Sequence, residues 1–310
     1  MKASPETPRA SVVDAAPRTA STRLRSGAGT RDRTRALPRH RQRRAARRVA
    51  RAFVAVVTVA MLGVLFYPLV RDAALRPERS RALQGRELAA TLGCFGCHGA
   101  EGRGGIGNPG SRRATIPGFT GSTLMMYVQN EGEIRQYILD GRPDRLADDP
   151  EHRAETAAQA IHMPAYRRRL KPGEIDALAA FVRVVSGMIE PEEEKARQGL
   201  EVARRMGCFG CHGELGMGGR DNPGSLKGYI PGFMGDDFRE LVRDDDELRE
   251  WIRRGHLDRI DRHPIGGWFT RRQLVEMPAF AQFLSDDESA ALVALVKWIN
   301  AGGWQRTPLG

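Results

Sequence analysis

Residues 93–121 read GCFGCHGAEGRGGIGNPGSRRATIPGFTG, and residues 207–235 read GCFGCHGELGMGGRDNPGSLKGYIPGFMG. The two stretches lie 114 positions apart and match at 19 of 29 residues without a gap. The same offset pairs the segment MPAY at 163–166 with MPAF at 277–280, so the register holds over at least seventy residues. A solenoid would need shorter and more numerous units. The repeat therefore predicts two tandem globular domains.

Each copy has the same predicted layout of helices around a Gly/Pro-rich loop. Helical spacing and end signals predict helices at Arg81–Thr91, Glu131–Asp140 and Gly173–Ser186 in the first copy, and at Glu193–Met206, Asp245–Arg254 and Asp286–Ala301 in the second. Gly141 and Gly255 stand where a C-cap glycine is expected. Ser285 and Glu288 have the spacing of a capping box. The sequence has no strand pattern, so the predicted fold class is all-α.

The positive charge is concentrated at the N-terminus. The chain has a formal net charge of +11, but residues 1–51 alone carry +12 and the other 259 residues carry −1. The tail is rich in Arg, Ala, Ser, Thr and Pro, a composition typical of disorder. A misplaced start codon would be another explanation for part of it. Because the basic excess is confined to the tail, the sequence argues against a nucleic-acid-binding protein.

An uncharged stretch of nineteen residues, Ala52–Val70, follows the tail. A helix of this length spans roughly 28 Å, which is enough to cross a bilayer once. The N-terminal flank is richer in arginine than the exit side, so the positive-inside rule places the N-terminus in the cytoplasm. We expect an uncleaved signal anchor in a bacterial cytoplasmic membrane, with the rest of the chain in the periplasm. A buried core helix or a cleaved signal peptide are the alternatives.

All four cysteines of the chain lie in two C-x-x-C-H motifs. The motif residues are Cys94, Cys97 and His98 in the first copy, and Cys208, Cys211 and His212 in the second. This spacing is typical of c-type haem attachment, in which two thiols bond to the haem vinyl groups and the adjacent imidazole binds the iron. Zinc would need a further ligand, and a thioredoxin-like pair would need a βαβ context. The duplicated motif therefore favours two covalently bound haem c groups.

Residues 80 to 305 resemble two tandem class I cytochrome c domains, on the Cys and His motifs, the Gly-rich loop, the middle helix ending in Gly and the Met-Pro pair. The resemblance implies covalent haem with Met as distal iron ligand, and first and last helices that cross. The predicted organisation is a basic disordered cytoplasmic tail at 1–48, a transmembrane anchor at 49–71, a first cytochrome c domain at 80–190 and a second at 191–310.

The repeat itself tests the distal ligand. Of the ten methionines, only Met163 and Met277 coincide under the offset. The other methionines are explained by core packing. His162 competes with Met163 as a ligand, but its counterpart is Glu276, which cannot play the same role. We therefore predict His98 and Met163 as ligands of one iron, and His212 and Met277 as ligands of the other.

A proline carbonyl is implied, by the same resemblance, as the acceptor that orients each proximal histidine. Pro109 and Pro223 are the first candidates, with Pro117 and Pro231 behind them. The order Asn-Pro-Gly at the first pair departs from the common Gly-Pro order of the family. A proline that only rigidifies the loop is the alternative role.

Two haems with both axial positions filled by protein leave no open iron for a substrate, so we predict an electron-transfer protein and not an enzyme. The expected function is electron transfer on the periplasmic side, by a membrane-tethered di-haem cytochrome c. The donor would be a quinol-linked complex or a dehydrogenase, and the acceptor a terminal oxidase or another high-potential protein. A di-haem peroxidase is the enzymatic alternative, and it would need one open iron. A subunit of a larger respiratory complex is a third possibility.

Overall fold

The computed structural model describes residues 39–74 and 79–307, which fall into two units divided after Val64. Residues 1–38 of the predicted tail lie outside the described residues. Helix α1, Arg39–Ala74, contains the whole predicted anchor. It begins ten residues before the predicted boundary, so the disordered tail is wrong for residues 39–48. Arginine and alanine are both strong helix formers, which explains why the helix extends through this basic stretch.

Within α1, the segment Arg43–Tyr67 has a mean hydropathy of 2.3 and is long and apolar enough to cross a membrane. Its apolar side chains are exposed, and Phe53 and Leu65 are both 68% exposed. A signal sequence would have the same properties.

The first copy of the repeat forms six helices among the described residues. They are α2 (Arg81–Thr91), α3 (Cys94–His98), α4 (Gly121–Met125), α5 (Glu131–Asp140), α6 (Pro150–Ala158) and α7 (Pro172–Val185). Two 3₁₀ turns, Ala100–Gly102 and Asp144–Leu146, lie between them.

The second copy repeats this order, has an α-helix at Asp258–Arg262 where the first copy has the 3₁₀ turn Asp144–Leu146, and adds a helix at its end. Its helices are α8 (Glu194–Arg205), α9 (Cys208–His212), α10 (Asp236–Leu241), α11 (Asp245–Arg254), α12 (Asp258–Arg262), α13 (Pro264–Thr270), α14 (Asp286–Asn300) and α15 (Gly303–Arg306). A 3₁₀ turn, Glu214–Gly216, follows α9.

The strongest end signals in the sequence are confirmed. Helices α2, α5 and α11 have the predicted bounds. Gly141 and Gly255 both have φ of 76° at the C-cap, in the left-handed region that glycine tolerates best. Ser285 and Glu288 form the predicted capping box.

One small sheet departs from the all-α prediction. Strands β1 (Arg220–Asp221) and β2 (Tyr229–Ile230) pair antiparallel, with Arg220 opposite Ile230. The first copy has an isolated bridge at the same place, between Gly107 and Thr115. Strands of two residues are too short to show an alternating pattern in the sequence. They close the Gly-rich loop on itself and leave the mainly helical architecture unchanged.

The first and last helices of each copy pack against each other, α2 on α7 and α8 on α14. A glycine lies at each crossing, because a Cβ at Gly85 would overlap the carbonyl of Ala177, and one at Gly199 would overlap that of Ala291. Close helix approach then buries the facing side chains, and Phe181 and Leu295 are fully buried. In each copy, the helix of the cysteine motif packs against the first helix of the crossed pair.

Candidate functional site

The first cysteine motif folds as the short helix α3. Gly93 begins it with φ of 77°, which turns the chain sharply after α2. Cys94 and Cys97 are three residues apart, so they lie on one face of the helix turn. Together with His98 and Met163 they line a cavity of about 380 Å³.

The second motif repeats this arrangement. Cys208, Cys211 and His212 on α9, with Met277, line a cavity of about 250 Å³. The structure thus brings each predicted set of two thiols, one imidazole and one thioether to the wall of one cavity. Burial raises the pKa of the Cys94 and Cys208 thiols, so both stay protonated at neutral pH.

A backbone carbonyl fixes the tautomer of each motif histidine. His98 Nδ1 lies 2.7 Å from the carbonyl oxygen of Pro117, and His212 Nδ1 lies 2.8 Å from that of Pro231. A carbonyl only accepts, so Nδ1 carries the proton and donates it. Burial lowers the pKa of both histidines, which favours the neutral ring. The Nε2 lone pair is therefore left to bind a metal.

The first-choice prolines are wrong as acceptors for these histidines. The carbonyl of Pro109 accepts the N–H of Ala160 at 2.9 Å, and that of Pro223 accepts the N–H of Leu274 at 2.9 Å. Both prolines therefore join the Gly-rich loop to the segment that precedes the methionine. The second-choice pair reaches the imidazoles because the loop turns back over the motif before its final Pro-Gly-Phe.

An aromatic ring packs on each motif histidine. The ring centroids of His98 and Phe119 lie 4.5 Å apart, and those of His212 and Phe233 lie 4.7 Å apart. These phenylalanines were not among the predicted site residues. The signal available for them was the segment IPGF, which is identical in the two copies. Each phenylalanine follows the proline acceptor by two residues, so one loop segment both orients and covers the imidazole.

A buried asparagine connects the Gly-rich loop to the methionine segment of each copy. Asn108 Nδ2 donates to the carbonyl of Ile161, and Oδ1 accepts the N–H of the same residue, both at 2.9 Å. Asn222 makes the same two bonds with Val275. Both asparagines are 4% exposed. The bonds end two residues before Met163 and Met277, so they set the path of each methionine. These asparagines were also missed, although the identical NPGS segment marks them.

Each methionine segment passes close to the end of the middle helix. A Cβ at Gly141 would come within 2.5 Å of the carbonyl oxygen of Met163, and Gly255 has the same relation to Met277. His162, the competing ligand, is exposed, and its Nε2 lies 2.8 Å from the carbonyl oxygen of Thr156. That nitrogen therefore donates to the backbone and has no free lone pair for a metal. Both Met163 and His162 line the first cavity, so Met163 as the distal ligand stays a prediction.

The residues around each cavity fit a haem c group. The walls are mostly apolar, including Leu178 and Phe181 in the first and Leu292 and Leu295 in the second. Trp251 lines the second cavity, and its buried Nε1–H has no hydrogen-bond partner in the part of the chain described. A buried donor of this kind calls for an acceptor. A carboxylate-bearing cofactor in the cavity would supply one.

The residues fit a zinc site less well. Within residues 39–74 and 79–307, no group of three or more His, Cys, Asp or Glu side chains is arranged to hold a metal ion. The four cysteines are free thiols, so neither motif is closed as a disulfide. The zinc alternative therefore finds no ligand set in the described structure.

Comparison with known proteins identifies a cytochrome c domain. Residues 82–186 match the family model described as Cytochrome c, over about a third of the chain. No curated protein matches the chain in sequence. Among solved structures, a reducing HAO-like protein complex of Kuenenia stuttgartiensis (Kustc0457/Kustc0458) is 17% identical, with 70% of this chain and 96% of that chain covered. Its TM-score of 0.23 is too low for the likeness to carry an argument about this chain. The matched domain implies covalently bound haem c and electron transfer by a c-type cytochrome.

Proposed function

We propose that this chain is a membrane-tethered di-haem cytochrome c that transfers electrons on the periplasmic side of a bacterial cytoplasmic membrane. Each repeat holds one haem c, so residues 80–190 and 191–310 are two tandem class I cytochrome c domains. The donor is a quinol-linked complex or a dehydrogenase, and the acceptor is a terminal oxidase or another high-potential protein. The chain acts alone or as the cytochrome subunit of a respiratory complex.

The single observation that carries the proposal is that the two cavities share one set of predicted haem-binding groups. The groups that the first copy brings to its cavity to hold a haem, namely two thiols, an imidazole with its proline acceptor, a phenylalanine, an asparagine and a methionine, each have a counterpart 114 residues later that lines the second cavity. The distance from the imidazole Nδ1 to the proline carbonyl oxygen is 2.7 Å at His98 and 2.8 Å at His212, so the two pairs differ by only 0.1 Å. Equivalent haem-binding groups support equivalent roles, and hence two haems.

The chain's own groups would hold and shield the cofactor. The thiols of Cys94, Cys97, Cys208 and Cys211 would add to the haem vinyl groups as thioethers, and His98, Met163, His212 and Met277 would bind the iron. A bound haem c supplies reversible one-electron chemistry at its iron. Donation of each Nδ1–H to a proline carbonyl makes Nε2 a stronger ligand and holds the ring in one orientation. The apolar cavity walls exclude water, which raises the potential of the iron couple.

The arrangement supports an electron carrier better than a peroxidase. A peroxidase needs one iron with an open distal position and acid–base groups over it. Here the methionine segments of both copies are held by the same asparagine bonds and the same close approach to a glycine. These shared restraints on the two methionine segments support a filled distal position in both copies, and hence the electron carrier.

The haem content and ligation of the full-length, haem-loaded protein test the proposal. We expect two haems per chain by absorbance against protein mass, and the far-red band of Met-ligated ferric haem for both. The matched variants Met163→Ala and Met277→Ala should each remove half of that band and let one haem bind cyanide. One haem per chain would contradict the second domain. Cyanide binding and rapid peroxide turnover by the unmodified protein would favour the peroxidase instead.

The membrane topology needs a separate test. Reporter fusions at residue 38 and after residue 310 should report cytoplasm and periplasm respectively, and the protein should stay with the membrane fraction after a carbonate wash. Release of a shorter haem-containing chain into the periplasm would show that the apolar segment is a cleaved signal.

A further inference from the structure

The two copies of the repeat contact each other at an interface, the seam, formed by α7 with the 3₁₀ turn Glu214–Gly216 and by Leu83 with Gly219. The last helix of the first copy, α7, packs against the 3₁₀ turn Glu214–Gly216, which directly follows His212 in the second copy. Leu83 of α2 fills the space beside Gly219, where a Cβ would come within 2.5 Å of the leucine. At the edge of the seam, Arg103 donates to Glu214 at 3.0 Å. The seam therefore lies between the haem-attachment motif of the second copy and the core helices of the first.

Arg183 on α7 connects the far end of the second copy to this seam. Its Nη2 donates to the carbonyls of Trp304, at 3.2 Å, and Thr307, and its Nη1 lies 3.4 Å from that of Gln305. Nη1 also donates to Glu131 of the first copy at 2.6 Å. Arg183 is only 6% exposed. One guanidinium thus joins α5 and α7 of the first copy to α15 of the second.

The equivalent residue of the second copy shows which part of this contact is special. Under the repeat offset, Arg183 corresponds to Lys297 and Glu131 corresponds to Asp245. Lys297 donates to Asp245 at 2.8 Å, so the acid–base pair exists in both copies. The side chain of Lys297 is 56% exposed, and among residues 39–74 and 79–307 its one hydrogen bond is to Asp245. The additional carbonyl contacts belong to Arg183 alone, at the position where the copies meet.

We infer that Arg183 is a positioning residue that holds the C-terminal segment Trp304–Thr307 against the first copy and thereby fixes the separation of the two cavities. The inference rests on the proposed function in one respect, since the separation matters for electron transfer only if both cavities hold haem.

The chemistry of the guanidinium explains why arginine stands there. Arginine presents several N–H donors in a rigid planar fork, whereas lysine is a compact charge on a flexible stem. A fork can bind a carboxylate on one side and several carbonyls on the other at the same time. A charge buried this deeply is costly unless it is fully compensated. Glu131 and the C-terminal carbonyls compensate Nη1 and Nη2, whereas the buried Nε–H has no hydrogen-bond partner in the described residues. Loss of the carbonyls would leave more of this buried guanidinium unpaired, which couples the docking of α15 to the burial of Arg183.

The position of α15 also restrains the contact between the two copies. The side chain of Trp304 is 3% exposed and belongs to the buried core. This packing restrains the backbone carbonyl of Trp304, which Arg183 contacts. Helix α15 follows α14 directly, and α14 lines the second cavity through Leu292, Leu295 and Val296. On the other side, α7 lines the first cavity through Phe181 and Val182. Arg183 thus joins the two helices that each form a wall of one cavity.

The experiment compares Arg183→Lys with Lys297→Arg in the full-length, haem-loaded protein. Arg183→Lys keeps the positive charge and the pairing with Glu131 but removes the guanidinium donors that bind the C-terminal carbonyls. Lys297→Arg makes the reverse substitution at the equivalent site of the second copy. The first readout is amide hydrogen exchange at Gln305 and Thr307, whose N–H groups are bonded within α15. We expect Arg183→Lys to speed their exchange by roughly tenfold or more. Lys297→Arg should leave it unchanged.

The second readout is the rate of electron transfer between the haems after rapid reduction of one of them. Below the melting temperature, Arg183→Lys should slow this step and make its time course heterogeneous, while Lys297→Arg should not. Unchanged exchange at Gln305 and Thr307 would overturn the inference. Faster exchange with an unchanged inter-haem rate would also overturn it, because Arg183 would then only stabilise the C-terminus. A chain with one haem would instead refute the proposed function, and the exchange result would stand by itself.

Discussion

The side-chain amide of Asn222 makes two hydrogen bonds with the backbone of Val275. Asn222 Nδ2 donates to the carbonyl of Val275 at 2.9 Å, and its Oδ1 accepts the Val275 N–H at 2.8 Å. The two residues are 53 positions apart in the sequence, and Val275 lies two residues before the predicted ligand Met277. The path of the methionine is thus set by a side chain from the opposite loop.

Replacing this asparagine should loosen the methionine. We expect Asn222→Ala to lower the free energy of unfolding by about 1 to 3 kcal/mol, because it leaves one backbone donor and one acceptor without their partners. In the haem-loaded protein it should weaken the far-red band of the haem with Met277. Urea unfolding and ferric absorption spectra measure both effects. Asn108→Ala is the matched control and should affect the haem with Met163 instead. Loss of both bands from either variant would contradict this assignment.

A methyl group at Gly255 should disturb the same region from the other side. Its φ of 76° is unfavourable for alanine, and the new Cβ would overlap the carbonyl of Met277. We expect Gly255→Ala to lower the free energy of unfolding by at least about 1 kcal/mol. Gly173→Ala is the control, since nothing lies near its Cβ position in α7. The control should leave stability unchanged or raise it by about 0.5 kcal/mol. Equal effects of both would rule out the close approach as the cause.

The pairing of Glu247 with Arg259 predicts acid sensitivity. The hydrogen bond from Arg259 lowers the pKa of Glu247 from 4.5 to about 2. A carboxyl group with a depressed folded pKa stabilises the fold above its unfolded value, and this contribution is lost as pH falls from 4.5 towards 2. Glu247→Gln should therefore flatten the pH dependence of the free energy of unfolding in that window. Glu201→Gln, on an exposed face of α8, is the control and should leave the slope as it is.

Trp251 should influence the potential of one haem only. Its buried Nε1–H lines the second cavity and finds no partner in the described structure. If a negatively charged group of the cofactor accepts this bond, removing the donor leaves more negative charge beside the iron and favours the ferric state. Trp251→Phe should lower the potential of the haem held by His212. The other haem should keep its potential in the same redox titration. An unchanged titration would mean that the indole donates elsewhere.

Local signals in the sequence predicted much of the fold and site. The bounds of α5 and α11 follow from a capping residue at one end and a glycine at the other, which act within a few positions of the chain. The cysteines and histidines follow from a contiguous motif. The choice between Pro109 and Pro117 could not be made in this way, because both lie in one loop and only its folded path decides which carbonyl meets His98.

Contacts between distant segments were out of reach for the same reason. Arg183 and Trp304 are 121 residues apart, and nothing near either residue indicates the other. Helix α13 was missed because its capping residue is a histidine, His263, and its seven residues include two glycines. In the first copy the corresponding α6 has Asp149 as its N-cap. Aspartate is a stronger capping signal than histidine, but the surrounding stretch is polar and α6 was not predicted.

The contact that Leu83 makes with Gly219 has a consequence for how many copies such an array can hold. A head-to-tail contact between successive copies can in principle be extended without limit, as in a filament. The position equivalent to Leu83 in the second copy is Arg197, whose charged side chain is 43% exposed and pairs with Glu194. A third subunit would have to bury that charge where the first junction buries a leucine. The second copy therefore lacks the apolar side chain that the first copy uses for this contact, which disfavours adding a third copy through the same surface.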